Sequence, residues 1–193
     1  KGFEVGRLKT GTPPRIHGDS VDWGSLVAQE SAREPLSFSF NNPGRVYDGY
    51  ACYLTRTNAE THAAVQSYME ENSRFFGLIE GPGPRYCPFI EDRVVRFPDR
   101  EGHQIFLEPV AEGSKEIYMQ NFSTGLPLEV QRRMLHSLPG CERARILRPA
   151  YAIEYDYLPA NQLLPWLETK LLKGLFCAGQ INGTSGYEEA AAQ

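Results

Sequence analysis

The spacing of apolar residues in the first half of the chain predicts one strand and two helices. Residues 3–9 alternate between apolar and polar, which predicts a strand, and the Thr, Gly and Pro cluster at 10–14 ends it. Residues 20–50 carry recurrent Pro, Gly, Ser and Asn without a clean period, so we expect irregular structure there, apart from a short helix near 23–30. A capping-box pattern, Thr57 to Glu60, opens a helix that we expect to run to Glu71.

The second half of the chain predicts a hairpin, two helices and an extended segment. Strand-like runs at 104–107 and 116–121 are separated by turn residues, which predicts a β-hairpin. Over 127–138, Leu128, Leu135 and Leu138 recur at helical spacing. We expect extended backbone over 145–157 and a leucine-rich helix over 161–172.

The last twenty residues predict a strand, a glycine loop and a helix in succession. An apolar run at 175–178 is typical of a buried strand, the loop 179–186 contains three glycines, and a helix is expected to open at Tyr187. A helix start offers unpaired N–H groups, and glycines allow a ligand to approach the backbone. Such a loop is suited to holding a cofactor, but its spacing alone favours an ordinary strand-to-helix turn, because the chain contains no full GxGxxG motif.

Composition places the chain among folded globular proteins. The 193 residues are 41% hydrophobic and 23% charged, which excludes a disordered tail or a fibrous rod. No apolar run approaches the roughly 18 residues of a membrane span, and no signal peptide is recognisable. We therefore expect a soluble intracellular protein with no membrane partner. The terminal helix lacks a stop signal, so we also expect the chain to be an internal piece of a longer protein.

The charge distribution points to one basic stretch. The formal net charge is −4, from 20 basic and 24 acidic residues, which by itself argues weakly against nucleic-acid binding. Residues 131–150, however, contain five arginines and one acid, Glu142. A solvated helix face would have the same composition. The alternative is that these residues contact phosphate groups of a nucleic acid: Arg132, Arg133, Arg143, Arg145 and Arg148.

The cysteines and histidines do not form a metal-binding pattern. Cys52, Cys87, Cys141 and Cys177 are far apart, so there is no CxxC pair, and the four histidines are equally scattered. We expect no metal site and reduced thiols, of which at most one is used chemically.

Several strings then resemble one family. Residues 174–193 (GLFCAGQINGTSGYEEAAAQ) closely resemble the second FAD-contacting motif of the MnmG (GidA) family of tRNA uridine 5-carboxymethylaminomethyl modification enzymes. Further strings agree with this family in the same order along the chain: LKTGTPPR at 8–15, GPRYCPFIED at 83–92 with RVVRF at 93–97, IFLEP at 105–109 and RPAYAIEYD at 148–156. The resemblance covers the whole chain.

The resemblance implies an α/β fold in which the chain is a fragment of a glutathione-reductase-type (Rossmann-like) FAD-binding domain with an inserted α/β domain. The implied boundaries are 1–25 and 145–193 for the parts of the FAD-binding domain. Residues 26–144 would form the inserted domain, with the NADH and tRNA sites.

The implied activity is modification of tRNA. Together with the GTPase MnmE, members of the family add a carboxymethylaminomethyl or aminomethyl group to carbon 5 of the wobble uridine. They use FAD and NADH as cofactors and a folate as the one-carbon donor. The resemblance also implies a homodimer, located in the bacterial cytoplasm or, alternatively, in mitochondria. We expect the isolated fragment to be inactive.

The same resemblance implies roles for individual residues. Cys87 would be the catalytic thiol that adds to the pyrimidine ring, unless it is only a small buried residue. Glu188 would face the flavin, unless it only complements the helix dipole. The residues implied for nicotinamide dinucleotide are Gly83, Pro84, Arg85, Tyr86, Arg93, Arg96 and Phe97. Those implied for the flavin are Gly179, Gln180, Asn182, Gly183, Gly186, Tyr187 and Glu188.

Two other functions remain open from the sequence. One is the related folate- and FAD-dependent tRNA uridine methyltransferase, which shares the flavin loops but lacks the Arg85 to Asp92 string. The other is a non-catalytic module that docks tRNA or the GTPase. Flavin binding by the protein separates an enzyme from a docking module.

Overall fold

The computed structural model describes residues 2–37, 39–42, 44, 51–72, 89–185 and 188–192, with Glu188 described by its backbone alone. In chain order, the strands are β1 (Gly6–Thr12), β2 (Arg15–His17), β3 (Val27–Gln29), β4 (Cys52–Arg56), β5 (Gln104–Pro109), β6 (Glu116–Gln120), β7 (Ile146–Arg148) and β8 (Tyr151–Tyr157). The helices are α1 (Ala59–Glu71), α2 (Ile90–Arg96), α3 (Leu128–His136) and α4 (Glu188–Ala191). The predicted mixed α/β class is confirmed.

The described residues fall into two compact units. Counting described residues alone, the sheet unit takes its residues from within 13–71 and 89–151, and the terminal unit from within 2–12 and 152–192 together with Asn72. The assignment of 1–25 and 145–193 to an FAD-binding domain and of 26–144 to an insert remains a prediction. No helix among the described residues is long and apolar enough to cross a membrane.

The sheet unit is built on a six-stranded antiparallel sheet in the order β3-β4-β5-β6-β2-β7. The predicted hairpin is confirmed as β5 and β6, with Leu107 opposite Met119. Ile105 and Leu107 on one strand and Ile117 and Met119 on the other are all buried. Residues two apart share a face of a strand, so these four side chains form one apolar face of the sheet.

Helices α1 and α3 are confirmed, and each buries a face in the core of the sheet unit. α3 buries Val130, Met134 and Leu135. Leu138 beyond it is also buried, whereas Leu128 in the first turn is 36% exposed. The apolar side of α3 is centred on positions 130, 134 and 138, and Leu128 lies at its edge.

Helix α1 starts with a reciprocal cap that is shifted by one position from the predicted one. The Asn58 side-chain oxygen accepts the backbone N–H of Thr61 at 3.0 Å, and the Thr61 hydroxyl oxygen accepts the N–H of Asn58 at 3.2 Å. The predicted pair was Thr57 and Glu60. Asn is among the best N-cap residues, which explains why the cap forms at Asn58 instead.

The segment near 23–30 does not form the short helix that the sequence predicts. Trp23–Ser25 form a single 3₁₀ turn, and Val27–Gln29 form strand β3, which pairs with β4 through Val27 and Leu54. The prediction of a helix there was wrong because a cross-strand partner more than twenty residues away determines the conformation.

In the terminal unit, β1 and β8 form a two-stranded sheet, and the predicted helix over 161–172 is absent. A 3₁₀ turn covers Ala160–Gln162, after which Leu163 bridges Thr169. Pro165 lies in the middle of this segment, and proline removes a helical N–H and clashes with the preceding turn. Leu167 has a left-handed φ of 68°, which also excludes a continuous helix.

The run at 175–178 was predicted as a buried strand. In the described structure it carries one bridge, between Phe176 and Glu168. Cys177 is buried, whereas Leu175 and Phe176 are 41% and 59% exposed. The prediction of a buried strand was therefore wrong for the described chain, because a strand is buried on both faces only where other elements cover it.

Candidate cofactor site

The predicted glycine loop forms a compact turn in the terminal unit. Gly179–Asn182 make one 3₁₀ turn, which Gly183 ends with a left-handed φ of 85° and an N–H donated to the carbonyl of Gln180 at 2.9 Å. Gly179 also has a positive φ, 83°, and among the described residues a Cβ built on it would meet no atom closer than the carbonyl oxygen of Ala190, at 3.9 Å. Both positions favour glycine by backbone conformation, and no described residue fills the space beside Gly179.

Side chains of the loop fasten it to its own backbone. The Asn182 side-chain nitrogen donates to the carbonyl of Cys177 at 2.8 Å, and that of Gln180 donates to the carbonyl of Ser185 at 3.3 Å. The hydroxyl oxygen of Thr184 is buried and has no hydrogen-bond partner among the described residues. The structure thus brings Gly179, Gln180, Asn182 and Gly183 together, as predicted, and adds one unsatisfied hydroxyl.

Two tyrosines of β8 contact this loop, and the sequence prediction missed both. The Tyr155 hydroxyl donates to the carbonyl of Thr184 at 2.8 Å. The Tyr157 ring packs against Gly183, where a Cβ would lie 3.0 Å from ring atom Cδ2. The alternation of β8 places both residues on one face of the strand, but no local pattern connects that face with a loop almost thirty residues later.

The start of α4 is joined to the end of the loop. The carboxylate of Glu189 accepts the backbone N–H of Ser185 at 3.1 Å and also the Ser185 hydroxyl. Negative charge at a helix start is stabilising. Gly186, Tyr187 and the Glu188 side chain, predicted for the flavin, lie outside the described residues.

The predicted dinucleotide stretch is described only in its second half. Gly83, Pro84, Arg85, Tyr86 and the predicted catalytic Cys87 lie outside the described residues.

The other three residues predicted for the dinucleotide, Arg93, Arg96 and Phe97, lie in the sheet unit at α2. Arg93 donates to the side-chain oxygen of Asn121 at 3.3 Å. Arg96 and Phe97 are exposed at the end of the helix, and the Arg100 guanidinium lies 5.6 Å from the centroid of the Phe97 ring. The exposed guanidinium groups of Arg96 and Arg100 are accessible to an anionic ligand.

The first turn of α2 contains a buried carboxylate that the sequence did not single out. Glu91 is 5% exposed; one of its oxygens accepts the backbone N–H of Gly125 at 2.9 Å and the other accepts the Thr124 hydroxyl at 2.8 Å. Burial raises the pKa of Glu91, and these hydrogen bonds act in the opposite direction. Together with the bond from the Ile90 N–H to the Ser123 carbonyl at 2.9 Å, they fix α2 to the loop after β6.

A threonine and two histidines meet beside strands β4 and β5. The Thr57 hydroxyl oxygen accepts the backbone N–H of His103 at 2.8 Å and lies 2.9 Å from His62 Nε2. Burial lowers the pKa of both histidines, and for His103 the charges of His62, Arg93 and Arg100 lower it further. His103 Nε2 is buried without a partner among the described residues, which is consistent with neutral imidazoles in the folded protein.

The five predicted phosphate-contacting arginines are all exposed on the sheet unit. Arg132 pairs with Glu129 at 2.6 Å, and Arg148 pairs with Glu116 at 3.4 Å. Arg143 and Arg145 line an open groove whose lining also contains acidic residues. Arg133 lies on the exposed side of α3. The arginines thus share a unit and are accessible, while neighbouring carboxylates offset part of their charge.

The three cysteines that the structure describes are free thiols. Cys141 is fully buried, and burial raises its pKa to about 12. Burial also raises the pKa of Cys52. Cys177 is buried. Within the described ranges, no group of three or more His, Cys, Asp or Glu side chains could hold a metal ion.

The chain is similar to a known family over its whole length. The family model described as "Glucose inhibited division protein A" matches residues 1–193. The tRNA uridine 5-carboxymethylaminomethyl modification enzymes MnmG of Synechocystis sp. and Lactobacillus gasseri are 54% and 52% identical to it, over 100% of the chain. The chain spans only 30% and 31% of the length of these relatives.

Solved structures agree with this similarity. Aquifex aeolicus GidA in its form II crystal superposes with a TM-score of 0.86 at 42% identity, and the form I crystal gives 0.87 at 45% identity. Both cover 100% of the chain, which in turn covers 31% and 33% of those structures. The fold is therefore that of the corresponding part of these proteins.

Proposed function

Because the chain belongs to the glucose inhibited division protein A (GidA) family, we propose that the protein containing it is an FAD- and NADH-dependent tRNA modification enzyme. It would add a carboxymethylaminomethyl or aminomethyl group to carbon 5 of the wobble uridine. The observation that carries this proposal is the 54% identity, over the full chain, to a relative named for that modification. Since the chain spans 30% of that relative, the activity is proposed for the whole protein.

The loop 179–185 suits a flavin. The space beside Gly179 admits a ligand close to the backbone, and the buried Thr184 hydroxyl lacks a partner among the described residues. A buried polar group without a partner is costly, so a ligand that satisfies it is favoured. We propose that Gly179, Gln180, Asn182 and Gly183 hold FAD, with Gly186, Tyr187 and Glu188 completing the site. A bound flavin supplies hydride and electron transfer.

The nicotinamide dinucleotide would lie along the segment that leads into α2. Exposed Arg96 and the partly buried Arg93 offer cations for its phosphates, and Phe97 offers an exposed ring. We assign Gly83, Pro84, Arg85 and Tyr86 to the same ligand by the family resemblance. Cys87 would be the nucleophile that adds to the pyrimidine and makes carbon 5 reactive.

The proposed partners follow from the same assignment. tRNA is the substrate, an MnmE-type GTPase acts with the enzyme, and a folate donates the carbon unit. By the family resemblance, the full-length protein would be a homodimer in the bacterial cytoplasm. The exposed arginines of the sheet unit would contact the tRNA backbone. Neutralising one true phosphate contact lowers the magnitude of the slope of log affinity against log salt by about 0.7 to 0.9.

The test is reconstitution with the full-length protein. Purified enzyme, the GTPase with GTP, FAD, NADH, a folate one-carbon donor, an amine donor (ammonium or glycine) and unmodified tRNA are incubated, and the nucleosides are analysed by mass spectrometry. We expect a C5-substituted wobble uridine for the wild type and for the control Cys52→Ser, and none for Cys87→Ser. A simple methyl group would support the methyltransferase instead. No product from flavin-loaded enzyme with active GTPase would refute the proposal.

A further inference from the structure

We propose that Tyr155 and Tyr157 of strand β8 are positioning residues that hold the loop 179–185 in its ligand-binding shape. Neither residue belongs to the loop, and neither is assigned to the flavin by the family resemblance. The consequence for FAD binding rests on the function proposed above. The effect of the two tyrosines on the conformation of the loop does not depend on that function.

Tyr155 fixes one peptide unit of the loop through its hydroxyl. The hydroxyl donates to the Thr184 carbonyl at 2.8 Å, while the next N–H, that of Ser185, donates to Glu189 at 3.1 Å. The two polar groups of this peptide bond are therefore held from β8 and from α4. Because a peptide bond is planar, holding both groups fixes its orientation.

The Tyr155 hydroxyl must be protonated in order to donate this hydrogen bond. Burial raises its pKa, and the charge of Glu189 raises it further. The phenol therefore stays protonated at neutral pH and can donate. The orientation of the peptide bond after Thr184 also affects the position of the Thr184 hydroxyl. This hydroxyl is buried and has no hydrogen-bond partner among the described residues.

Tyr157 acts through its ring. A Cβ on Gly6 would lie 2.4 Å from ring atom Cε1, and one on Gly183 would lie 3.0 Å from Cδ2. Real Cβ contacts are longer than the first of these distances, so the ring occupies space that is available only because Gly6 lacks a side chain. The backbone beside it is joined to the loop by the N–H of Leu158, which donates to the Ile181 carbonyl at 2.7 Å.

The experiment uses the full-length protein with FAD as the probe. FAD is titrated into cofactor-free enzyme and followed by flavin fluorescence, and hydrogen exchange of the peptide covering 179–185 is measured without FAD. Tyr155→Phe removes only the hydroxyl and should raise the Kd for FAD about three- to tenfold, the effect of one hydrogen bond. It should also speed exchange in the loop. Tyr151→Phe, on the same strand with its side chain 59% exposed, is the matched control and should change neither quantity.

Tyr157 is tested by a pair of variants, because its ring and not its hydroxyl is assigned the role. Tyr157→Ala should weaken FAD binding and speed loop exchange, and Tyr157→Phe, which keeps the ring, should restore both. Equal effects of Tyr155→Phe and Tyr151→Phe, or an unchanged Tyr157→Ala, would overturn the proposal. A wild-type protein that binds no FAD would instead contradict the proposed cofactor, and hydrogen exchange would still decide the role of the tyrosines.

Discussion

Replacing Gln131 by leucine should remove the hydrogen bonds that join α3 to the residue Leu126 just before it and to Ala150 between β7 and β8. The Gln131 side-chain nitrogen donates to the carbonyls of Leu126 at 2.7 Å and Ala150 at 3.0 Å, and its oxygen accepts the Ala150 N–H at 2.8 Å. Gln131 is 2% exposed, and Leu126 and Ala150 are nearly as buried. Leucine has a similar volume, so Gln131→Leu removes the hydrogen bonds without opening a large cavity.

The expected cost follows from the number of bonds. Each buried hydrogen bond contributes about 1 kcal/mol net, and the backbone groups left behind have no water to replace their partner. Three bonds give a loss of about 3 kcal/mol in the free energy of unfolding. With a urea slope of about 2 kcal/mol per molar, the midpoint should fall by about 1.5 M.

The assay is urea denaturation followed by circular dichroism, with Glu129→Gln as the control. Glu129 lies on the same helix and makes an exposed pair with Arg132 at 2.6 Å, so its replacement should cost less than about 0.5 kcal/mol. A loss below about 1 kcal/mol for Gln131→Leu would show that the three bonds add little to stability, contrary to this prediction.

Two further perturbations test the contact between Thr57 and His103. Burial lowers the pKa of His62 and His103 in the folded protein below the ordinary histidine value of 6.5. Below pH 6.5 the unfolded chain therefore binds more protons than the folded protein does, and the free energy of unfolding should fall as the pH drops. Urea midpoints at pH 7.5 and 5 measure this fall, which should shrink in His103→Gln; an equal fall in both proteins would contradict it. Gly102→Ala would place a Cβ 2.2 Å from the Thr57 carbonyl oxygen and should cost about 1 to 3 kcal/mol. In Gly24→Ala the nearest atom lies at an ordinary 3.5 Å, so a similar loss in that control would argue against a specific clash.

Elements with a strong short-range pattern could be predicted from the sequence. Helices α1 and α3 and the β5–β6 hairpin are specified by residues three, four or two apart, which share one face. The glycine turn could also be foreseen, because Gly179 and Gly183 adopt positive φ values that disfavour other residues.

Other features depend on contacts that no local pattern encodes. The leucine spacing over 161–172 suggested a helix, but Pro165 interrupts it, and the Lys170 N–H bonds to the Gln162 carbonyl instead. Strand β3 forms because β4 pairs with it. At the candidate site, Tyr155 and Tyr157 reach the loop from a strand far earlier in the chain, so their part in it emerged only from the structure.

Nucleoside analysis of tRNA after reconstitution with the full-length protein shows whether the protein is the proposed tRNA modification enzyme. We predict a C5-carboxymethylaminomethyl or aminomethyl uridine at the wobble position that forms only when the GTPase with GTP, FAD, NADH, a folate and an amine donor are all present. An unmodified wobble uridine from flavin-loaded enzyme with an active GTPase would contradict it.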